Sequence, residues 1–317
     1  MEGLSPRSSI KPEIHSAKQN RELLAHLPLP EEDRCELLHF CAPEADRFSV
    51  LKQSLIRRKI PFNVIPLEGA RHILLPAPPP SALNKNYYRV TLVAHYDRVD
   101  NTPGANDNAA SVFQLLAHRE AMYKEVNAPL TQIIFTDKEE LLAQHNTASK
   151  APLRQGSWYL ARHLRRLGVS NVLFFVLDMC GIGDTPVWGH SVRKAGIHTL
   201  QGIENNAFTE METFLKKFSG GKNFGVHPLF SDDLGLLLGG YPALQVSLLP
   251  RHQAEQLPPL PANPLPLRQH LQNNMPPAWQ SAHTPFDTPD KLQAASFLLI
   301  SRLLRGLSLY RFPLGPS

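Results

Sequence analysis

Apolar positions repeat at helical spacing early in the chain and as short, nearly continuous runs later. Over residues 31–58, Leu37, Leu38, Phe48, Leu51 and Leu55 recur at intervals that predict helix. Residues 60–67 and 71–76 predict two short strands paired around a Glu68-Gly69-Ala70 turn. From residue 89 the two patterns alternate. RVTLVAH (89–95), TQIIFT (131–136), NVLFFVLD (171–178) and ALQVSLL (243–249) predict strands. Residues 108–123, with Val112, Leu115 and Leu116 on one face, predict a helix, as do 157–167, 208–218 and 289–307. NVLFFVL is apolar at nearly every position, as a strand covered on both faces must be. The alternation predicts an α/β fold: a three-layer sandwich whose central sheet is mixed but mostly parallel, with helices on both faces.

The polar segments divide the chain. Residues 1–30 predict a flexible tail, and residues 31–317 a single domain. PAPPPSALNKN (76–86) predicts a linker-like loop, because proline removes backbone donors and fixes φ. Within 234–250, glycines and prolines interrupt an uncharged stretch, which predicts a loop leading into a buried strand. Residues 252–280, rich in Pro, Gln and Asn, predict a long surface loop. No internal repeat is visible.

Composition narrows the function. The 317 residues carry a formal charge of +5 and 42% hydrophobic side chains, enough for a substantial core. No basic stripe with interleaved aromatics is present, which argues against a nucleic-acid partner. The first twenty residues hold no apolar signal-like run, and no stretch makes a convincing membrane span, so the expected location is cytoplasmic. The three cysteines, Cys35, Cys41 and Cys180, form neither a disulfide framework nor a CxxC pair. Cys180 reads as a small buried side chain. GxSxG, Walker and GxGxxG motifs are absent.

Five oxygen or imidazole donors occur in contexts suited to a metal: His95, Asp107, Glu140, Asp178 and His283. Three of them stand at or just beyond the ends of predicted strands, where ligands gather in open α/β sheets. Each has a plainer reading. His95 and Asp97 could be a surface pair, Asp107 a helix N-cap, Glu139-Glu140 a solvated acidic turn, and Asp178 a strand end turned to water. Taken together they suit two neighbouring zinc ions with one bridging carboxylate. Asp97, two residues beyond His95 and on the same strand face, could fix the imidazole tautomer. Of the adjacent Glu139 and Glu140, one could bind metal while the other carries a proton between water and a leaving amine. Asp287 and Thr288 could orient His283. The remaining histidines, His118, His145, His163, His190, His227 and His252 among them, read as surface or structural.

AHYD, GANDNAAS, the Glu pair, LDMCG and HTPFDT, in that order, resemble the blocks of the di-zinc exopeptidases of the bacterial leucyl aminopeptidase type, metallopeptidase family twenty-eight. The resemblance covers residues 88–308. It implies that His95 and Asp178 hold one zinc, Glu140 and His283 the other, and that Asp107 bridges them, through a cis peptide to Asn108. It implies Glu139 as general base, with a metal-bridged water attacking a peptide whose free N-terminal amine is read by carboxylates near the zincs. The family often has an aromatic residue where Ala282 stands here. Fifteen residues separate Glu140 from Gly156 where many aminopeptidases have few, and this longer segment is similar to that of the glutaminyl-peptide cyclotransferases, which use one zinc. Trp279 could then be a displaced counterpart of the aromatic residue. The expectation is a zinc-dependent aminopeptidase-like hydrolase with two zincs. Its alternatives are a single-zinc cyclotransferase-like enzyme, a non-catalytic scaffold with the same fold, and another amidohydrolase.

Overall fold

A computed structural model describes residues 22–77, 86–123, 131–140, 155–189, 205–226, 231–257 and 274–314. The chain opens with helices α1 (Glu31–Cys41) and α2 (Arg47–Arg57), followed by strands β1 (Asn63–Leu67) and β2 (Ala70–Leu75). The single helical stretch expected over 31–58 is thus two helices. Pro43, without an N–H to donate, follows the break at Ala42. β1 and β2 pair as the expected hairpin, with Leu67 opposite Ala70. Glu68 (φ 48°) and Gly69 (φ 76°) supply the left-handed residues of a two-residue turn whose twist matches the strands.

Strand β3 (Arg89–His95) leads through a tight turn at Ala105–Ala109 into α3 (Ala110–Tyr123). Next come β4 (Gln132–Thr136), α4 (Gly156–Arg166), β5 (Val172–Leu177), β6 (Thr185–Gly189) and α5 (Asn205–Phe218). α6 (Asp232–Leu238), β7 (Ala243–Leu249), the short α7 (Arg251–Ala254) and α8 (Pro277–Gln280), and α9 (Ala294–Leu309) complete the described elements. Among the described residues, seven strands form one sheet in the order β1-β2-β4-β3-β5-β7-β6. β4, β3, β5 and β7 are parallel neighbours, while the marginal pairs β1–β2, β2–β4 and β6–β7 are antiparallel.

Successive residues of β5 serve opposite faces, as a strand requires. Leu173, Phe175 and Leu177 join a core shared with α1, α2, α3 and α9, whereas Val172, Phe174 and Val176 pack with Leu160, Leu164, Leu234 and Leu237 from α4 and α6. The sheet is therefore covered on both sides, giving the expected three layers.

Three other expectations change. The loop expected before the last strand is helix α6, whose Gly235, with Gly239 just past its end, lies against α4. A Cβ on Gly235 would stand 2.2 Å from Ser157 Oγ and 2.5 Å from Trp158 N. Gly235→Ala is accordingly expected to destabilise the fold by about 2 kcal/mol, the usual cost of overpacking, read as a lowered Tm; an unchanged Tm would contradict this packing. Strand β6 was not foreseen. Upstream of residue 31, Leu24, Leu27 and Leu29 are buried in the core, and the His26 ring lies 2.7 Å from the Leu292 carbonyl oxygen. Most of the 76–86 loop, the segment after Glu140 and the middle of 252–280 lie outside the described residues, as do His145, His190 and His227.

Candidate metal centre

Parallel strands β4, β3 and β5 end side by side, with His95 in register with Thr136. Whatever follows their last residues meets at one edge of the sheet. β3 ends in His95 itself, Glu139 and Glu140 follow β4, and Asp178 follows β5. Asp107 comes from the turn between β3 and α3, and His283 from the segment after α8.

Asp107 stands between the two imidazoles. Its Oδ1 is 3.2 Å from His95 Nε2, and its Oδ2 is 3.2 Å from His283 Nε2. Asp178 Oδ1 lies 3.6 Å from the same nitrogen of His95, and Glu140 Oε2 lies 3.1 Å from His283 Nε2. His95, Asp107, Glu140 and Asp178 are buried, whereas the His283 side chain is 49% exposed.

A second set of groups holds these side chains. Asp97 places Oδ1 3.5 Å from His95 Nδ1 and accepts the Glu140 N–H at Oδ2 (3.0 Å), so one carboxylate touches two of the candidate ligands. The amide of Gln245, on β7, donates to Asp178 Oδ2 at 3.4 Å. Gln155 Nε2 donates to Glu139 Oε1 at 3.1 Å. Asp287 does not orient His283 as expected. Its two oxygens accept the N–H groups of Asn106 and Asp107, each at 2.9 Å, and so fix the backbone that presents Asp107. The Asn106 amide oxygen in turn accepts the Gly181 N–H (2.7 Å), and Asn108 Nδ2 donates to the Leu177 carbonyl (2.8 Å). The Asp107–Asn108 peptide is cis.

Burial and crowding set the electrostatics. Against burial, which disfavours the charged ring, Asp107, Asp178 and Asp97 hold His95 well above the usual imidazole range. Contacts with Asp107 and Glu140 raise His283 to about 11. Against burial, the two imidazoles hold Asp107 well below the usual carboxyl range. Burial pushes Glu139 well above its ordinary range despite the pull of His95, with Glu140, Asp232 and Asp178 adding to the rise. Burial with the charge of Asp107 takes Glu140 to about 7. Asp232, fully buried on α6, accepts the Thr136 hydroxyl and is raised by burial to about 6. Carboxylates here outnumber imidazoles, and His95 Nε2, Asp178 Oδ1 and Glu140 Oε2 are buried without a hydrogen-bond partner. A divalent cation would satisfy both the charge and these atoms. Mixed imidazole and carboxylate donors suit zinc. Among the described residues, His95, Asp107 and Glu140 form one group whose donor atoms all lie within 4.8 Å of one another.

Residues 79–308 match the sequence model of Peptidase family M28. The chain belongs to this family. Membership makes it a metallopeptidase-type hydrolase and accounts for the order of the motifs. A comparison with curated proteins finds no match. Among solved structures, the M28 chain is similar in fold to the LapA aminopeptidase of Legionella pneumophila, with 12% identity, a TM-score of 0.56, and coverage of 98% of this chain and 79% of that one. It is similar to a Zn-dependent exopeptidase from Parabacteroides distasonis (16% identity, TM-score 0.55, 92% of this chain and 95% of that one). It is also similar to the glutaminyl cyclase of Tannerella forsythia (18% identity, TM-score 0.53, 93% and 96%).

Several features of this M28 chain escaped the sequence. Trp279 is fully buried in a small apolar cluster with Met179, Val187 and Leu249, so it is a packing residue and not a replacement for the aromatic side chain missing at Ala282. Asp232 opens helix α6, which the sequence did not foretell and which brings its carboxylate to the Thr136 hydroxyl. Gln155 and Gln245 carried no signal, since a lone glutamine in a polar or apolar run is uninformative. Cys180 is buried as expected, and burial beside Asp178 pushes its thiol up, away from a thiolate role. His118 is buried with Nε2 2.9 Å from Ser308 Oγ, a structural role. No helix among the described residues is long and apolar enough to cross a membrane.

Proposed function

We propose that the protein is a zinc-dependent aminopeptidase that releases N-terminal residues from peptides, with His95, Asp107, Glu140, Asp178 and His283 as metal ligands and Glu139 as general base. The observation that carries this reading is Asp107, whose two oxygens each approach a different imidazole, the arrangement of a carboxylate shared between two metal positions. Asp178 completes the His95 side and Glu140 the His283 side. When bound, zinc supplies a Lewis acid that polarises a carbonyl oxygen and makes water a nucleophile near neutral pH.

The chain's own groups do the rest. Glu139, buried and held at Oε1 by Gln155, takes a proton from the attacking water and delivers it to the leaving amine. Asp97 keeps the His95 ring in one orientation and ties the Glu140 backbone to it. The excess of carboxylates offers acceptors for a free N-terminal ammonium, which favours a peptide partner with an unblocked N-terminus.

A second reading is a single-zinc glutaminyl cyclotransferase. It is favoured by the compact donor group that His95, Asp107 and Glu140 form among the described residues, and by the fold similarity to the Tannerella forsythia cyclase. Elemental mass spectrometry of zinc-equilibrated protein, paired with product analysis on aminoacyl-anilides and on peptides with N-terminal Gln, separates the two. Two zincs per chain with release of the first residue are expected. One zinc with ring closure of Gln and no hydrolysis would establish the second reading, and a chain that binds no zinc would remove both.

A further inference from the structure

Arg47 opens α2, outside the residues that match the family model, and its side chain reaches the backbone between His95 and Asp107. It is only 5% exposed. A guanidinium carries five N–H donors in a fixed planar fork, and here all five directions are used on backbone carbonyls. Nε donates to Phe40 (3.1 Å), Nη1 to Tyr96 (3.2 Å) and Asp97 (3.1 Å), and Nη2 to Pro103 (2.6 Å) and Gly104 (2.8 Å). The ring of Phe40 lies 4.5 Å from its central carbon.

The five acceptors belong to the end of α1 and to the two ends of the connection that follows β3. Phe40 is at the end of α1. Tyr96 and Asp97 follow His95. Pro103 and Gly104 lead into Asp107. The space is fitted to the guanidinium: a Cβ on Gly104, which holds a left-handed φ of 54°, would stand 2.9 Å from Arg47 Nη2 and 2.6 Å from the Asp107 carbonyl oxygen. A buried cation usually sits on a carboxylate, because its desolvation is costly otherwise. Arg47 instead uses its donors to close the connection after β3 and to tie it to α1.

We infer that Arg47 is a positioning residue for the metal centre: it fixes the Asp97 end of the connection after β3 against the end that leads into Asp107, ties both to α1, and so makes the N-terminal helices part of the catalytic apparatus. Displacing either end would move the carboxylate that orients His95 or the one shared by both imidazoles. A lysine, with three donors on one nitrogen, cannot reach five carbonyls spread around a planar fork. Groups one step behind metal ligands commonly set affinity by 10- to 100-fold.

The inference rests on the metal-centre reading, and its test keeps the two apart. Zinc affinity is measured by chelator competition, and the visible spectrum of the cobalt-loaded protein is recorded, for wild type, Arg47→Lys, Arg47→Ala and Arg98→Ala. Arg98 donates to the Cys41, Ala42 and Pro43 carbonyls in the neighbouring connection and serves as the control for general loosening. Arg47→Lys should weaken zinc roughly 10- to 100-fold and alter the cobalt spectrum. Arg47→Ala should recover affinity in millimolar guanidinium. Arg98→Ala should lower Tm while leaving affinity and spectrum unchanged. Wild-type affinity and spectrum in folded Arg47→Lys, or equal losses in Arg98→Ala, would overturn the inference alone. A wild-type chain that binds no zinc would remove the metal-centre reading and the inference with it.

Discussion

Glu139→Gln should bind its full complement of zinc and lose roughly 100- to 10,000-fold of its turnover, the range that a positioned general base contributes. Glutamine has the same shape, can still accept the Gln155 amide at Oε1, and has no proton to take or give. The substitution should not loosen the fold. Burial pushes the Glu139 carboxyl up, and Glu140, Asp232 and Asp178 add to the rise. Replacing it with a neutral amide removes like-charge repulsion and a desolvation cost. The metal-free variant should therefore melt no lower than the metal-free parent. Stoichiometry, turnover on an aminoacyl-anilide and Tm together make the test specific. Full turnover with intact metal would mean that another group moves the proton.

Asp107→Ala should have the larger effect on metal. It removes the one carboxylate facing both imidazoles, leaving His95 with Asp178 and His283 with Glu140. At least one zinc should be lost from the equilibrated protein, and the remaining affinity should fall by more than about 100-fold, the upper end seen for groups one step further from a metal. The surrounding backbone should keep its place, since Asp287 holds the N–H groups of residues 106 and 107 whatever the side chain at 107 is. A folded variant that retains two zincs would show that Asp107 is not shared between metal positions.

Most of the sheet and the positions of the candidate donors could be read from the sequence, for a physical reason. Parallel strands buried on both faces leave continuous apolar runs, and the residue ending each run is delivered to one edge. ALQVSLL, read as 243–249, spans the same residues in the structure, and His95 and Asp178 stand where their strands release them. Strand β6 was hidden because TPVWG is short, carries a proline and does not alternate. Helix α6 was hidden because its glycines, needed for close contact with α4, look like loop residues. Arg47 went unread and Asp287 was assigned to His283 for a different reason. Their partners are backbone atoms brought close only by the tertiary fold, and a charged side chain near a helix start or in a loop ordinarily faces water.

The two strands at the ends of the sheet order share one trait. β1 carries Pro66 and β6 carries Pro186, and proline is tolerated in a sheet chiefly on an edge, where no neighbour needs its missing N–H. On β6 the outward N–H and C=O of Trp188 are already taken by the Phe224 carbonyl and the Val226 N–H. An open row of backbone donors and acceptors invites strand addition from another chain. Interrupted at both margins among the described residues, this sheet offers a poor template for strand addition.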